Sequence, residues 1–140
     1  MLKLKRAYDP AAAGDGRRVL VERLWPRGIS KDNLKLDGWL KDVAPSTGLR
    51  QWFHHDPERW TEFQRRYRRE LSAHPDVWKP LVAAATAGPV TLVYSSHDTE
   101  HNNAVALRAF LTPKIRRRTT SSTAGRRTSG TARARTRARS

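Results

Sequence analysis

The stretch Val90–Tyr94, with the sequence VTLVY, decides the fold of this 140-residue chain. It is short, apolar and rich in β-branched residues, which is typical of a strand buried in the middle of a sheet. A helix is predicted before it, over about 75–87, and ends at the Gly-Pro pair 88–89. A second helix is predicted after it, over 98–111. A buried strand between helices indicates an α/β fold built in layers.

Two further strands are predicted near the N-terminus. Residues 2–8 alternate apolar with basic side chains, the pattern of a half-exposed strand, and residues 18–25 form the next candidate before Pro26 and Gly28. The long helical stretch that separates them from Val90–Tyr94 favours a crossover connection, hence at least partly parallel pairing. The predicted fold is a small single domain with a short, at least partly parallel sheet flanked by helices. The pattern over 36–43 fits either a strand or a helix.

Helix starts are marked by good capping residues. Ser30 can cap a short turn over 31–34, and Ser46 can cap a helix over 47–53. The best helix begins at 56–58, where a proline occupies the first helical position. Its opposite face is arginine-rich over 65–69, which is typical of a solvated surface. Its apolar residues recur three, four and four positions apart and are predicted to be core: Trp60, Phe63, Tyr67 and Leu71.

Charge divides the chain in two. Lys and Arg number 28 against 13 Asp and Glu, a net charge of +15. Residues 114–140 hold ten of the cations and no acid, which leaves a net +5 for residues 1–113. Ile115 is the last large apolar residue, so the remainder cannot bury enough surface to offset the entropy of ordering. We expect an α/β domain over 1–113 and a disordered Arg-rich tail over 114–140.

Composition excludes several classes of protein. The chain has no cysteine, which excludes disulfides, a thiolate nucleophile and Cys-ligated zinc. No apolar run approaches the roughly 20 residues of a membrane span. The basic N-terminus is not followed by an apolar stretch, so no signal peptide is visible. We therefore expect a cytoplasmic protein without a membrane partner.

Polar side chains follow two of the predicted strands and form the candidate site. Ligands of open α/β sheets bind beyond the carboxyl ends of strands, and arginine recognises phosphate or carboxylate well. The start of the last helix adds N–H groups that favour an anion. These features predict a site for an anionic small molecule of the nucleotide or sugar phosphate class. Its predicted ligand-binding residues are Arg23, Trp25, Arg27, Tyr94, Ser95, Ser96 and Asn102. The alternative is structural: Arg23 pairs with a carboxylate, Trp25 packs, and Asp98 caps the helix.

Asp98 and His101 are the catalytic candidates. They lie three residues apart, so one helical turn can orient both the same way, and a histidine exchanges protons near neutrality. No nucleophile-elbow pattern surrounds Ser95 or Ser96, and whether the protein is an enzyme is left open. His97 and His101, with the cluster at 54–56, have a spacing that can bind a metal, but no zinc-protease motif accompanies them. No metal and no cofactor is predicted.

The tail supports a different function. Ten cations without an acid bind polyanions by counterion release, and without a base-reading module such binding is independent of sequence. The alternative function is therefore a nucleic-acid-associated or regulatory protein that binds through 114–140 and the arginine face over 65–69. The tail is also compatible with an extension that has no function. A partner-binding module without a ligand site is the third alternative.

Three blocks of sequence, 21–28 (VERLWPRG), 39–57 and 88–102, resemble the YeaO-like branch of the domain-of-unknown-function 488 family. Their order and spacing agree from about residue 2 to residue 111, so the resemblance covers the body and not the tail. It implies a compact α/β fold in bacterial or archaeal cytoplasm, with no assigned function. Two positions depart from the family. Tyr94 stands where other branches carry a cysteine, and His97 stands where this branch usually carries a basic residue.

Overall fold

The computed structural model describes residues 2–123, with side chains described as far as Ile115. Four strands form one sheet: β1 Leu2–Arg6, β2 Arg17–Leu20, β3 Gly38–Trp39 and β4 Val90–Tyr94. Their order across the sheet is β1-β4-β2-β3, and every pairing in this sheet is parallel. The predicted α/β fold with a parallel sheet is therefore confirmed.

Strand β4 is the central strand that its composition predicts. All five of its residues are buried. Leu92 pairs with Leu4 of β1 on one side and with Val19 of β2 on the other. A strand with neighbours on both edges and cover on both faces reads as a continuous apolar run, which explains the sequence VTLVY.

Within residues 2–123, five helices surround the sheet, with single 3-10 turns at Ala13–Asp15, Lys41–Val43, Pro57–Arg59 and Pro75–Val77. Ser30 and Ser46 accept N–H hydrogen bonds at the starts of the first two helices, as predicted. The segment over 36–43 contains both a two-residue strand and a 3-10 turn, which explains its ambiguous pattern. The helices are α1 Lys31–Leu34, α2 Thr47–Phe53, α3 Trp60–Ala73, α4 Lys79–Ala87 and α5 Asn103–Thr123.

Apolar side chains pack on both faces of the sheet. The larger core lies between the sheet and α2 to α5 and contains Phe63, Tyr67 and Leu71, as their spacing predicts. Trp60 packs against this core but is only partly buried. A smaller core on the other face joins Val93 to Leu34 of α1. In the described part of the chain, no helix is long and apolar enough to cross a membrane.

Two element boundaries differ from the predicted ones at the carboxyl edge of the sheet. Strand β2 ends at Leu20 rather than near residue 25, because Val21 makes a last bond to the Val93 carbonyl and the chain then turns away. Helix α5 begins at Asn103 rather than Asp98. The Asp98 carboxylate instead accepts the N–H groups of Glu100 and His101 and holds a separate turn.

The helix α5 continues through Pro113 to Thr123, so the predicted boundary at residue 113 falls inside it. Ile115 packs against the larger core, and the Lys114 ammonium lies 4.4 Å from the ring centre of Phe110. Residues 114 and 115 therefore belong to the packed body. The disordered tail was expected over 114–140; residues 114–123 are helical, and residues 124–140 lie outside the described residues.

Candidate functional site

A cavity of about 240 Å³ opens at the carboxyl ends of β2 and β4, between the two predicted polar segments. The chain leaves β2 toward β3, and it leaves β4 toward α5, which packs on β1 and β4. Connections that diverge from neighbouring parallel strands open a crevice between them, where α/β proteins bind ligands. We call this crevice the strand-end cavity. Six of the predicted site residues line it: Arg23, Trp25, Arg27, Ser95, Ser96 and Asn102.

Arg23 is largely occupied by the backbone of the loop before α2. Its Nε donates to the carbonyl of Pro45 at 2.8 Å, and its Nη2 donates to the carbonyl of Ala44 at 3.4 Å. Its Nη1 lies 3.9 Å from Asp42, a carboxylate whose side chain is 85% exposed. Arg23 therefore holds the cavity wall in place, much as the structural alternative predicts, although its main partners are carbonyls rather than an acid.

Trp25 also forms part of the wall. Its indole N–H donates to the Ile29 carbonyl at 2.7 Å, and its ring packs edge-on against Trp39 with 5.4 Å between ring centres. Arg27 differs, because its side chain is exposed at the rim and has no hydrogen bond or ion pair to another described residue. Of the first predicted segment, Arg27 is thus the side chain available to a ligand.

The second segment is held by a chain of local hydrogen bonds. The Ser96 hydroxyl accepts the Asp98 N–H at 3.1 Å, and the Ser96 carbonyl accepts Arg6 Nε at 2.8 Å. Asn102 is buried; its side-chain oxygen accepts the Val105 N–H at 3.0 Å and its amide donates to the Asp98 carbonyl at 2.8 Å. Asn102 is therefore the cap of α5 and uses both ends of its amide within the protein.

Tyr94 does not face the strand-end cavity. Its side chain is buried in the larger core, and burial raises the pKa of its phenol. The prediction that Tyr94 contacts a ligand there is thus not matched by its position, because the alternation along β4 places it with the core residues Val90 and Leu92.

Two charged residues that the sequence argument did not select line the cavity. Glu22 accepts the Ser95 N–H at 3.1 Å, joining the ends of β2 and β4. Burial raises the pKa of Glu22, although the Ser95 N–H and the charge of Arg50 act to lower it. Arg50 lies exposed on α2, and its guanidinium has no hydrogen bond or ion pair to another described residue. In the sequence, Glu22 lies on the same face of the predicted strand as the apolar residue Leu20, and this unusual position of a carboxylate could have identified it. No sequence pattern identifies Arg50, because only tertiary packing brings it to the site.

Asp98 and His101 form a close pair outside this cavity. Asp98 Oδ2 lies 3.0 Å from His101 Nδ1, and Asp98 Oδ1 accepts the N–H groups of Glu100 and His101 at 2.9 Å each. The Glu100 N–H is the main cause that lowers the pKa of Asp98. The His101 ring packs edge-on against Trp60, 5.3 Å between centres. Neither side chain lines the strand-end cavity; Asp98 borders a shallow depression with His55, Ser95, Ser96 and His97.

Metal-ligating side chains do not converge in the part of the chain that the structure describes. No three His, Asp or Glu side chains there are close enough together to hold an ion. The spaced pair His97 and His101 is divided, because His101 turns to Asp98 while His97 lies near Arg6.

The arginine face of α3 is partly neutralised by an acid on the same helix. Glu62 binds Arg65 at 2.6 Å and Arg66 at 2.8 Å. Arg66 also lies over the Trp52 ring, 4.2 Å from its centre, and Arg59 lies 5.2 Å from it. These contacts occupy part of the cationic surface within the protein itself.

The chain is similar to a known protein family and to several proteins of that kind. Residues 1–130 match the family model DUF488-N3i, described as the inactive DUF488-N3 subclade. The uncharacterized protein YeaO of Escherichia coli is 44% identical over 110 residues, which cover 79% of this chain and 96% of that protein. The uncharacterized protein Rv3073c of Mycobacterium tuberculosis is 46% identical over 92 residues, 64% of this chain and 78% of that protein. No solved structure gives a significant match.

Proposed function

The chain belongs to the inactive DUF488-N3 subclade, and from that premise we propose that it binds an anionic small molecule in the strand-end cavity without turning it over. The ligand class is that of nucleotides and sugar phosphates. The site is the crevice between the ends of β2 and β4, where the polar groups of both segments meet.

The main support for this proposal is that two guanidinium groups at this cavity have no hydrogen-bond or ion-pair partner among the described residues. Arg27 and Arg50 both line it, and neither guanidinium has a hydrogen bond or ion pair to another described residue. The acid that lines the same cavity, Glu22, already accepts the Ser95 N–H. Guanidinium groups bind phosphate and carboxylate through paired, charge-assisted hydrogen bonds, so two free ones at a crevice favour an anion.

Binding without catalysis is supported by the position of the catalytic candidates. Asp98 and His101 face each other and do not line the cavity, and the Asp98 carboxylate is engaged by two backbone N–H groups. Tyr94 occupies the position where the resemblance places a cysteine in other branches, and the chain contains no cysteine at all. The word inactive in the family description agrees with this arrangement.

Calorimetric titration of the full chain with inorganic phosphate tests the proposal. We expect Arg27→Ala and Arg50→Ala each to weaken binding about ten- to hundredfold, the usual effect of losing one charge-assisted contact. Arg68→Ala is the matched control, because Arg68 is an exposed arginine on α3 that does not line the cavity. Equal affinity in all four proteins would place phosphate binding elsewhere and reject the proposal.

A second proposal concerns nucleic acid. Residues 114–140 carry ten cations and no acid, which supports sequence-independent binding of DNA or RNA through the tail. The face of α3 is expected to add little, since Glu62 already pairs with Arg65 and Arg66. Removing residues 124–140 should abolish most of the DNA affinity and flatten its dependence on salt. Unchanged affinity would assign the binding to the body of the protein.

A further inference from the structure

We propose that Glu22 makes the strand-end cavity selective for polyhydroxylated phosphate esters, the sugar phosphate class, by accepting hydrogen bonds from the ligand's hydroxyl groups. This inference rests on the proposed function, because it assumes that the phosphate end is held by Arg27 and Arg50. It identifies the hydroxyl-bearing part of the ligand and names Glu22 as the residue that recognises it.

The Glu22 carboxylate lines the cavity and can accept more hydrogen bonds than the protein supplies. One carboxyl oxygen, Oε2, accepts the Ser95 N–H at 3.1 Å. The Ser95 side chain also acts on this carboxylate as a hydrogen-bond donor. A carboxylate offers about four acceptor positions, so Ser95 leaves part of that capacity unused. A buried carboxylate is unfavourable unless donors compensate it fully, and burial raises the pKa of Glu22 despite the hydrogen bonds from Ser95 and the charge of Arg50. A ligand that supplies hydroxyl donors would complete that compensation.

The positive and negative side chains of the cavity favour different parts of a ligand. Arg27 and Arg50 attract a phosphate, while Glu22, which lines the same cavity, repels one. An ester without hydroxyl groups on its carbon chain, such as propyl phosphate, satisfies the arginines and offers Glu22 no carbon-borne hydroxyl donor. A molecule with a phosphate at one end and hydroxyls at the other satisfies both, which is the chemistry of a sugar phosphate.

Size and aromatic packing argue against a nucleotide. The cavity of about 240 Å³ falls below the range of roughly 300–1,000 Å³ typical of sites for drug-sized molecules. Phe53 and Phe63 line it but are buried and stacked on each other, 4.3 Å between centres. Trp25 packs against Trp39. Tyr8, at the rim, carries the Arg6 guanidinium over its ring at 5.0 Å. The described aromatic residues of the cavity are thus already engaged, which leaves little platform for a base.

The test compares two esters of the same carbon number in the full wild-type chain. Glycerol 3-phosphate and propyl phosphate share the phosphate and the three-carbon body, and differ in two hydroxyl groups. We expect glycerol 3-phosphate to bind about tenfold more tightly by calorimetry, and ribose 5-phosphate to bind more tightly than adenosine 5′-monophosphate. Equal affinities for the two esters, or a clear preference for the nucleotide, would overturn the inference.

Glu22→Gln assigns the preference to this residue. Glutamine keeps the size of the side chain and an oxygen for the Ser95 N–H, but presents an amide donor to the cavity. We expect the tenfold preference to disappear while propyl phosphate binds at least as tightly as it does to wild type, because the repelling charge is lost. Retained binding of propyl phosphate also controls for folding of the variant. A preference that survives in Glu22→Gln would overturn the role of Glu22. If inorganic phosphate and both esters fail to bind wild type, the proposed function is wrong. If both esters bind equally and their binding depends on Arg27 and Arg50, the proposed function stands and only this inference is wrong.

Discussion

Arg18 and Asp15 form a buried ion pair, with the Arg18 Nη1 donating to the Asp15 carboxylate at 2.6 Å. Both side chains are at least nine-tenths buried. Lys5 of β1 lies 2.9 Å from the same carboxylate, and the remaining Arg18 donors reach the carbonyls of Leu34 and Lys35. One aspartate therefore ties two strands and the end of α1 together, away from the proposed site.

Asp15→Asn is expected to destabilise the protein strongly. Removing one partner of a buried ion pair leaves the other charge uncompensated, which costs about 3–5 kcal/mol of unfolding free energy. Urea denaturation of wild type and variant measures the difference. Glu62→Gln is the matched control, because Glu62 also binds two cations but lies at the surface, where such pairs add little. An Asp15→Asn effect no larger than that of Glu62→Gln would contradict the structural role of Asp15.

The same cluster predicts how stability changes in acid. Burial alone would raise the pKa of Asp15, but hydrogen bonds from Lys5, the Ala12 N–H and Arg18 outweigh it and lower the pKa to about 2. The folded state thus holds this proton less tightly than the unfolded chain does. The stabilisation, about 2 kcal/mol, is present above the ordinary pKa of an aspartate and is lost as the pH falls from there toward 2. Urea midpoints measured between pH 6 and pH 2 should show that loss in wild type and a smaller one in Asp15→Asn.

Local signals in the sequence predicted the elements and the central strand well. The run VTLVY, the serine caps at Ser30 and Ser46, and the apolar spacing from Phe63 to Leu71 each depend on neighbours within a few residues. Such patterns report directly on burial and on unpaired N–H groups. They also located the edge of the sheet where the cavity opens.

The details of the cavity depend on contacts between distant residues, which no local pattern contains. Glu22 is fixed by Ser95, 73 positions away, and Arg23 by a carbonyl 22 positions away. Asn102 replaces Asp98 as the cap of α5 because the Asp98 carboxylate is engaged by the preceding turn. Several polar residues at one sheet edge could be predicted, but which of them stay free for a ligand could not.

Phe63→Ala is expected to cost about 3–5 kcal/mol of unfolding free energy. Phe63 is 1% exposed and stacks on Phe53, so truncation leaves a cavity in the larger core. Trp60→Ala should cost less, because Trp60 is only partly buried at the edge of that core. Chemical denaturation measures both. A larger loss for Trp60→Ala than for Phe63→Ala would mean that the ring at position 60 carries more of the packing than its exposure indicates.

Two truncations are expected to differ. A chain that ends at residue 123 should keep the melting temperature of the full chain, because every described packing contact is retained. A chain that ends at residue 113 should melt lower, since it loses the contact of Ile115 with the core and that of Lys114 with Phe110. Equal melting temperatures for the two truncations would show that residues 114 and 115 add nothing to the stability of the body.

Asp98 provides the test that separates a binding protein from an enzyme. Asparagine at this position keeps a side-chain oxygen for the N–H groups of Glu100 and His101, whereas alanine removes it. We expect Asp98→Ala to lose about 1 kcal/mol of unfolding free energy and Asp98→Asn to lose less. Because Asp98 does not line the strand-end cavity, both variants should bind inorganic phosphate as wild type does. The exposed neighbour Thr99 offers a control substitution, Thr99→Ala, that should change neither quantity. One outcome would contradict the proposal of binding without turnover. In that outcome wild type converts a sugar phosphate, whereas Asp98→Asn is stable and binds phosphate normally but no longer converts it. The Asp98 carboxylate would then take part in a reaction.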